Sequence, residues 1–146
     1  MRVAAKTETV SYLDVATRQL NRSIRLYLDE KDYLSSITLA GAAEEILGQL
    51  VVENGGTHEL EHEITATLRF CDKDENDPKE RKSVALLANY FKNRTKHYRK
   101  EGELIYLTDL SAAQLIDRAI SNYWTLTQSG TEDMEQFKNE VLLGNT

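Results

Sequence analysis

Apolar residues recur at three- and four-residue intervals along most of this chain, the spacing that gathers them on one side of an α-helix. From Thr9 to Asp29, Val10, Leu13, Ala16, Leu20, Ile24 and Tyr27 make one such stripe and predict a first helix. A second begins at Asp32, read as its N-cap, and stops at Asn54-Gly55-Gly56. It is apolar nearly all round (Leu34, Ile37, Leu39, Ile46, Leu47, Leu50, Val51) and carries the small block Ala40-Gly41-Ala42-Ala43, which is the pattern of a central helix that neighbours approach closely.

A shorter helix is predicted from Thr57 to Arg69, followed by an exposed acidic loop, Asp72 to Asp77. Asp77 as N-cap, Pro78 at the first helical position and Glu80 in capping-box position start a fourth helix that runs to about Lys100 and is closed by Gly102. Its Val84, Leu87, Ala88, Phe91, Thr95 and Tyr98 form a core-facing stripe. Glu103 to Leu107 read as briefly extended, and Thr108 or Asp109 caps a fifth helix that ends at Ser129-Gly130. There Leu115, Ala119, Asn122 and Leu126 share one face, widened by Ile116, Ile120, Tyr123 and Trp124. A last amphipathic piece, Thr131 to Leu143, either docks or frays at the periphery. Short connections favour antiparallel neighbours, so the expected fold is an all-α, up-and-down antiparallel bundle of five to six helices in one domain, 1–146.

The chain has 146 residues, 40% of them hydrophobic, enough to build a core without disulfide or metal staples. No apolar run approaches the roughly 18 residues of a spanning helix, which excludes a helical membrane protein. The lone Cys71 has no partner in its own chain and reads as a helix-end residue; Met1-Arg2-Val3-Ala4-Ala5-Lys6 leads into Thr7 and Glu8 rather than an apolar signal segment. Both observations point to a reducing cytoplasm.

Charge changes the picture more than composition does. The formal net charge is −6, yet Lys79 to Lys100 holds eight basic residues against the single acid Glu80, a local +7 that leaves −13 for the rest. On that helix Leu86, Tyr90, Asn93 and His97 recur at four and three residues on the side opposite the core stripe, a mixed face suited to a partner such as a second copy. Were a partner to cover it, His97 would sit in a protected cleft, with Asn93 one turn before it and Lys92, Arg94, Lys96 and Arg99 nearby to attract an anion. An imidazole that exchanges a proton near neutral pH, beside cations that neutralise a phosphate, can cleave RNA through its own 2′-hydroxyl with no metal and no cofactor. The plain alternative is that His97 and Arg99 complement the helix dipole and the basic run is a solvated face. Glu44 and Glu45, acids in an apolar helix, require a partner if buried: an Arg or Lys of a neighbouring helix, or the site on the fourth helix, which they would orient.

His58-Glu59-Leu60-Glu61-His62 is a literal H-E-x-x-H, in which two histidines one turn apart could bind zinc with the glutamate as base. The charged Glu61 and the lack of a placed third ligand make a charged helical N-terminus with incidental histidines the stronger reading, and a zinc-dependent hydrolase the minor one.

Two stretches carry a resemblance: Ser36-Ile37-Thr38-Leu39-Ala40-Gly41-Ala42-Ala43-Glu44-Glu45-Ile46-Leu47-Gly48 and Lys92-Asn93-Arg94-Thr95-Lys96-His97. In this order on antiparallel helices they resemble the HEPN superfamily of small helical proteins, over roughly Val10 to Gln128. The resemblance implies a homodimer and, in active members, a metal-independent ribonuclease in which an arginine, the next polar residue and a histidine a few positions on meet at the dimer cleft. Here Asn93 stands at the polar position, His97 at the histidine and Lys92 at the arginine; Lys92 keeps the charge but lacks the planar fork that grips a phosphate twice. The function implied by the resemblance is that of a HEPN-like ribonuclease or a degenerate RNA-binding relative, in a toxin, defence or stress system. The alternative is a non-catalytic homodimeric interaction module whose basic segment meets an acidic cognate protein or the chain's own acidic remainder.

Overall fold

Side-chain caps set most of the helix starts. The computed structural model describes residues 2–144, so the end residues of the expected domain, Met1, Asn145 and Thr146, lie outside the described residues. Ser11 opens α1 (Tyr12–Arg25) through a capping box with Asp14, which leaves Val10 outside the helix and moves the start later than Thr9. The helix widens into a π turn, Leu26–Glu30, and Lys31 ends it in the left-handed region at φ 53°. Asp32 then caps α2 (Tyr33–Glu53) by accepting the Ser35 N–H at 3.1 Å.

His58 caps α3 (Glu59–Phe70), which ends at the exposed Cys71. Asp77 and Pro78 begin α4 (Pro78–Ala88) as expected. Glu80 pairs with Lys73 instead of closing a capping box. The expected long fourth helix is broken: Asn89 interrupts it, and α5 (Tyr90–Lys96) stops four residues short of Lys100 because His97 turns extended at φ −121°, ψ 120°. Thr108 caps α6 (Asp109–Thr127), and Glu103 to Leu107 form no strand. Finally α7 (Glu132–Phe137) runs into a second π turn, Lys138–Leu142. The break at Asn89 and the separate α7 bring the described residues to seven α-helices, where five to six were expected. None of them is long and apolar enough to cross a membrane.

Helix directions follow from side-chain pairings. Gly41, Glu44 and Gly48 of α2 meet Leu115, Arg118 and Asn122 of α6, so these two helices run parallel. On α5, Lys92 lies against Gly41 and Lys96 pairs with Glu45, the same direction again. Contacts of Glu59 with Asn122 and of Glu63 with Arg118 make α3 antiparallel to α6, while Asn21 with Thr131 and Arg25 with Asp133 make α7 parallel to α1. The simple up-and-down antiparallel order is therefore corrected. Because α5 and α6 both follow the direction of α2, residues 97–108 must carry the chain back along the bundle as a crossover.

The core lies between α1, α2, α6 and α7, where Leu20, Ile24, Ile37, Leu47, Ile116, Met134 and Phe137 have no exposed surface. Each such side chain contributes about 1.5–3 kcal/mol by leaving water. Met134 and Phe137 settle the last segment as docked. Ser23 and Ser36 lock α1 to α2 by exchanging hydrogen bonds between hydroxyls and carbonyls at 2.7 and 3.0 Å. The core stripe expected on the fourth helix is not one: Leu87 is 77% and Tyr98 83% exposed, and α4 buries none of its residues.

Candidate functional site

Midway along α2 the apolar surface gives way to Gly41, with Glu44 and Glu45 one turn on. The missing side chain at Gly41 is what lets α5 approach: a Cβ there would lie 2.6 Å from Cγ of Lys92. The Lys92 stem crosses α2 through this gap and its ammonium reaches Glu44 Oε2 at 3.2 Å and Glu45 Oε1 at 3.1 Å. From the other side Arg118 of α6 brings Nε to 3.2 Å from Glu44 Oε1 and Nη1 to 3.5 Å from Glu63 of α3. The first is an ion pair by distance without hydrogen-bond alignment. Arg118 also donates to Asn89 Oδ1 at 2.7 Å, and the Ala88 carbonyl lies 3.5 Å from the same guanidinium, so this residue holds the break between α4 and α5. Glu44, Lys92 and Arg118 are all buried.

A cleft of about 530 Å³ opens beside this network between α2 and α3, lined by Glu44, Glu45, Gln49, His58, Leu60 and Lys92. A second, of about 420 Å³, lies between α3, α4, α5 and α6 over Phe91, Lys92 and Arg118. Burial pushes the Glu45 carboxyl up, but the Lys92 and Lys96 ammonium groups outweigh it and hold Glu45 below the usual glutamate value. On the far side burial raises Glu63, with Arg118 opposing and Glu59 adding to the rise; burial likewise raises Glu59 and Asp117.

The residues chosen from sequence do not assemble into one site within a copy. Lys92 is 8% exposed and committed to carboxylates, whereas Asn93 and His97 face solvent. Five residues correspond to about 140° around a helix, and His97 has already left α5. The protected cleft expected around its imidazole is thus not formed by this chain alone. Arg94 is turned inward, stacked at 5.7 Å over the Tyr90 ring and paired with Glu103; Lys96 pairs with Glu45, and Arg99 lies 3.7 Å from Glu103. The cations meant for a phosphate are therefore matched to internal carboxylates. Glu44 and Glu45 take the ion-pair role; Lys92, expected to face a phosphate, is one partner, and Arg118, which sequence reasoning missed, is another. Its signal was present, a charged residue inside Leu115-Ile116-Asp117-Arg118-Ala119-Ile120, the same anomaly that singled out Glu44.

At His58-Glu59-Leu60-Glu61-His62 the geometry agrees with the stronger reading, a charged helical N-terminus. His58 has extended backbone at φ −71°, ψ 159° and precedes the helix, and its Nδ1 accepts the Glu61 N–H at 3.4 Å. It therefore does not share a helical face with His62. Among the described residues no group of three or more His, Cys, Asp or Glu is arranged to hold a metal ion. Comparison with protein-family models, curated proteins and solved structures gives no significant match.

Proposed function

We propose that this chain is a non-catalytic homodimeric interaction module of HEPN-like architecture that pairs through the outward faces of α4 and α5. One observation carries the reading: α4 buries no side chain fully, with Val84 and Ala85 half-buried, and near its end Leu86 and Leu87 stand 59% and 77% exposed, with Tyr90 at the start of α5 44% exposed. A short helix gains most of its stability from packing an apolar face, and contiguous exposed apolar side chains mark a partner surface. Leu86, Leu87 and Tyr90 flank the break at Asn89, so pairing of two copies there would cover them together. Lys92 supports the non-catalytic half of the reading, because it is closed inward on Glu44 and Glu45 where a phosphate could not reach it without breaking two ion pairs.

Solution mass and RNA chemistry test both halves. The unaltered protein should sediment as a dimer at micromolar concentration, insensitively to salt, and Leu86→Glu with Leu87→Glu should make it monomeric with an unchanged helical spectrum. Added RNA should be neither bound in a salt-dependent manner nor cut. A monomer would overturn the pairing. Chelator-resistant cleavage that His97→Ala or Lys92→Ala abolishes would overturn the non-catalytic reading in favour of the ribonuclease.

A further inference from the structure

The crossover at residues 97–108 has to pass along the bundle without joining a helix, and its middle is unusually apolar for an irregular segment: Glu103-Leu104-Ile105-Tyr106-Leu107. Burial there alternates. Glu103 turns inward to Arg94 and Leu107 packs against the core, while Leu104 and Tyr106 stand 68% and 81% exposed; Ile105, between them, is 37% exposed. That is the two-residue period of a strand with one face covered and one open. Among the described residues, no backbone hydrogen bond outside the helices involves residues 104–107. Apolar, β-prone and without ladder partners, the segment has the properties of a free sheet edge, which natural proteins pair or protect.

We infer that residues 103–107 pair antiparallel with the same residues of a second copy, forming a two-stranded ribbon across the dimer axis. The inference rests on the homodimer proposed above and specifies how its two halves meet. The segment is self-complementary about Ile105: that residue faces its own counterpart, and each Leu104 lies opposite a Tyr106, an aliphatic–aromatic cross-strand pair. The only charge in it, Glu103, is already neutralised by Arg94, so two copies approach without like-charge repulsion. Arg94 stacked over Tyr90 and bound to Glu103 joins the ribbon to the α5 surface. Leu86, Leu87, Tyr90, Tyr98, Leu104, Tyr106 and Leu110 are all exposed. At roughly 100–200 Å² apiece, those on the ribbon's side of the molecule would add to the area it covers, toward the about 800 Å² per partner of a standard interface. A ribbon that adds main-chain hydrogen bonds to such an area suits a second copy better than a short peptide, which would leave most of it uncovered.

Cysteine cross-linking reads the register directly. In a Cys71→Ala background, Ile105→Cys should form a disulfide-linked species of twice the chain mass under mild oxidation at least tenfold faster than Lys100→Cys. A mixture of Leu104→Cys and Tyr106→Cys copies should cross-link faster than either alone. In the unaltered protein, a mixed dimer of isotope-labelled and unlabelled copies should show contacts between Leu104 methyls and the Tyr106 ring of the other copy. A dimer by mass in which Ile105→Cys does no better than Lys100→Cys, and which lacks those contacts, would overturn the ribbon and leave the α4–α5 dimer standing. A monomer would remove both.

Discussion

Replacing Gly41 by alanine sets two effects of opposite sign against each other. Mid-helix alanine is favoured over glycine by about 0.8–1.0 kcal/mol, so α2 considered alone should gain. In the folded chain the new Cβ would lie 2.6 Å from Cγ and 3.0 Å from Cδ of Lys92, atoms near the root of that side chain rather than its mobile end. Overpacking of this kind costs about 1–3 kcal/mol. Displacing the stem also pulls the ammonium from Glu44, and a charge-assisted hydrogen bond is worth about 1.5–3 kcal/mol. Glu44 keeps Arg118, so the larger penalty of a wholly unpaired buried charge does not apply. The balance is a loss of about 3 kcal/mol, which at a urea slope of about 2 kcal/mol per molar lowers the midpoint by about 1.5 M. In a Lys92→Ala background the obstruction is gone and the same substitution should be neutral or stabilising, so the double-mutant cycle should show a coupling of at least about 1 kcal/mol. If Gly41→Ala raises the urea midpoint of the otherwise unaltered protein, the close passage of Lys92 over α2 is wrong.

Phe137→Ala should cost about 3–5 kcal/mol in urea unfolding, because the ring is fully buried against the core; a cost below about 1 kcal/mol would mean the C-terminal helix is only loosely attached. Ser23→Ala should cost about 1–2 kcal/mol by leaving the Ser36 groups short of a partner, whereas Ser23→Ala with Ser36→Ala should recover part of that; additive losses would deny the reciprocal bonding. Burial raises the Asp117 carboxyl from its ordinary 3.8, opposed by Lys138. The folded chain therefore holds that proton to higher pH than the unfolded chain, and stability from this group is present below 3.8 and lost as pH rises through the folded value. Asp117→Asn should accordingly raise the urea midpoint at pH 7 and leave it unchanged near pH 3; the reverse order would contradict the assignment. Equimolar zinc should leave the thermal midpoint unmoved, since His58 serves as a helix cap; a rise of several degrees, reversed by chelator and absent in His62→Ala, would restore the metal reading.

What the chain discloses in advance depends on the range of the interaction that decides it. Asp32, Asp77 with Pro78, and Thr108 start helices through contacts within a turn, and all three starts are readable from the letters alone. The break at Asn89 is not, because the groups that hold it belong to Arg118, far away in sequence. Without that knowledge Val84 to Tyr98 reads as one uninterrupted core stripe. The parallel course of α2 and α6 is hidden for the same reason: counting residues up to Lys100 as helix makes the connection to α6 look short, and short connections imply antiparallel neighbours. At the candidate site the residue types are recognisable and their pairing is not. Lys92 and His97 stand five residues apart in the sequence, but Gly41, which carries no chemistry of its own, decides that the first of them turns inward.

The local charge of +7 between Lys79 and Lys100 suggests a cationic surface on an acidic body, yet the folded chain spends it differently. Arg81, Lys92, Arg94, Lys96 and Arg99 each lie within ion-pair distance of a carboxylate, and only Lys79, Lys82 and Lys100 of that stretch form no ion pair among the described residues. Exposed pairs of this sort add little stability, and a buried network such as Glu44 with Lys92 and Arg118 often gains nothing over apolar packing of equal volume. Its effect lies in geometry. By binding Asn89 while held on Glu44, Arg118 fixes the point at which α4 and α5 part, and that parting leaves Leu86 and Leu87 facing outward instead of completing the core stripe. The ion network and the uncovered apolar face are thus two consequences of one arrangement: Glu44 at the centre of α2 holds Lys92 and Arg118 inward, and the break that Arg118 fixes leaves Leu86 and Leu87 outside.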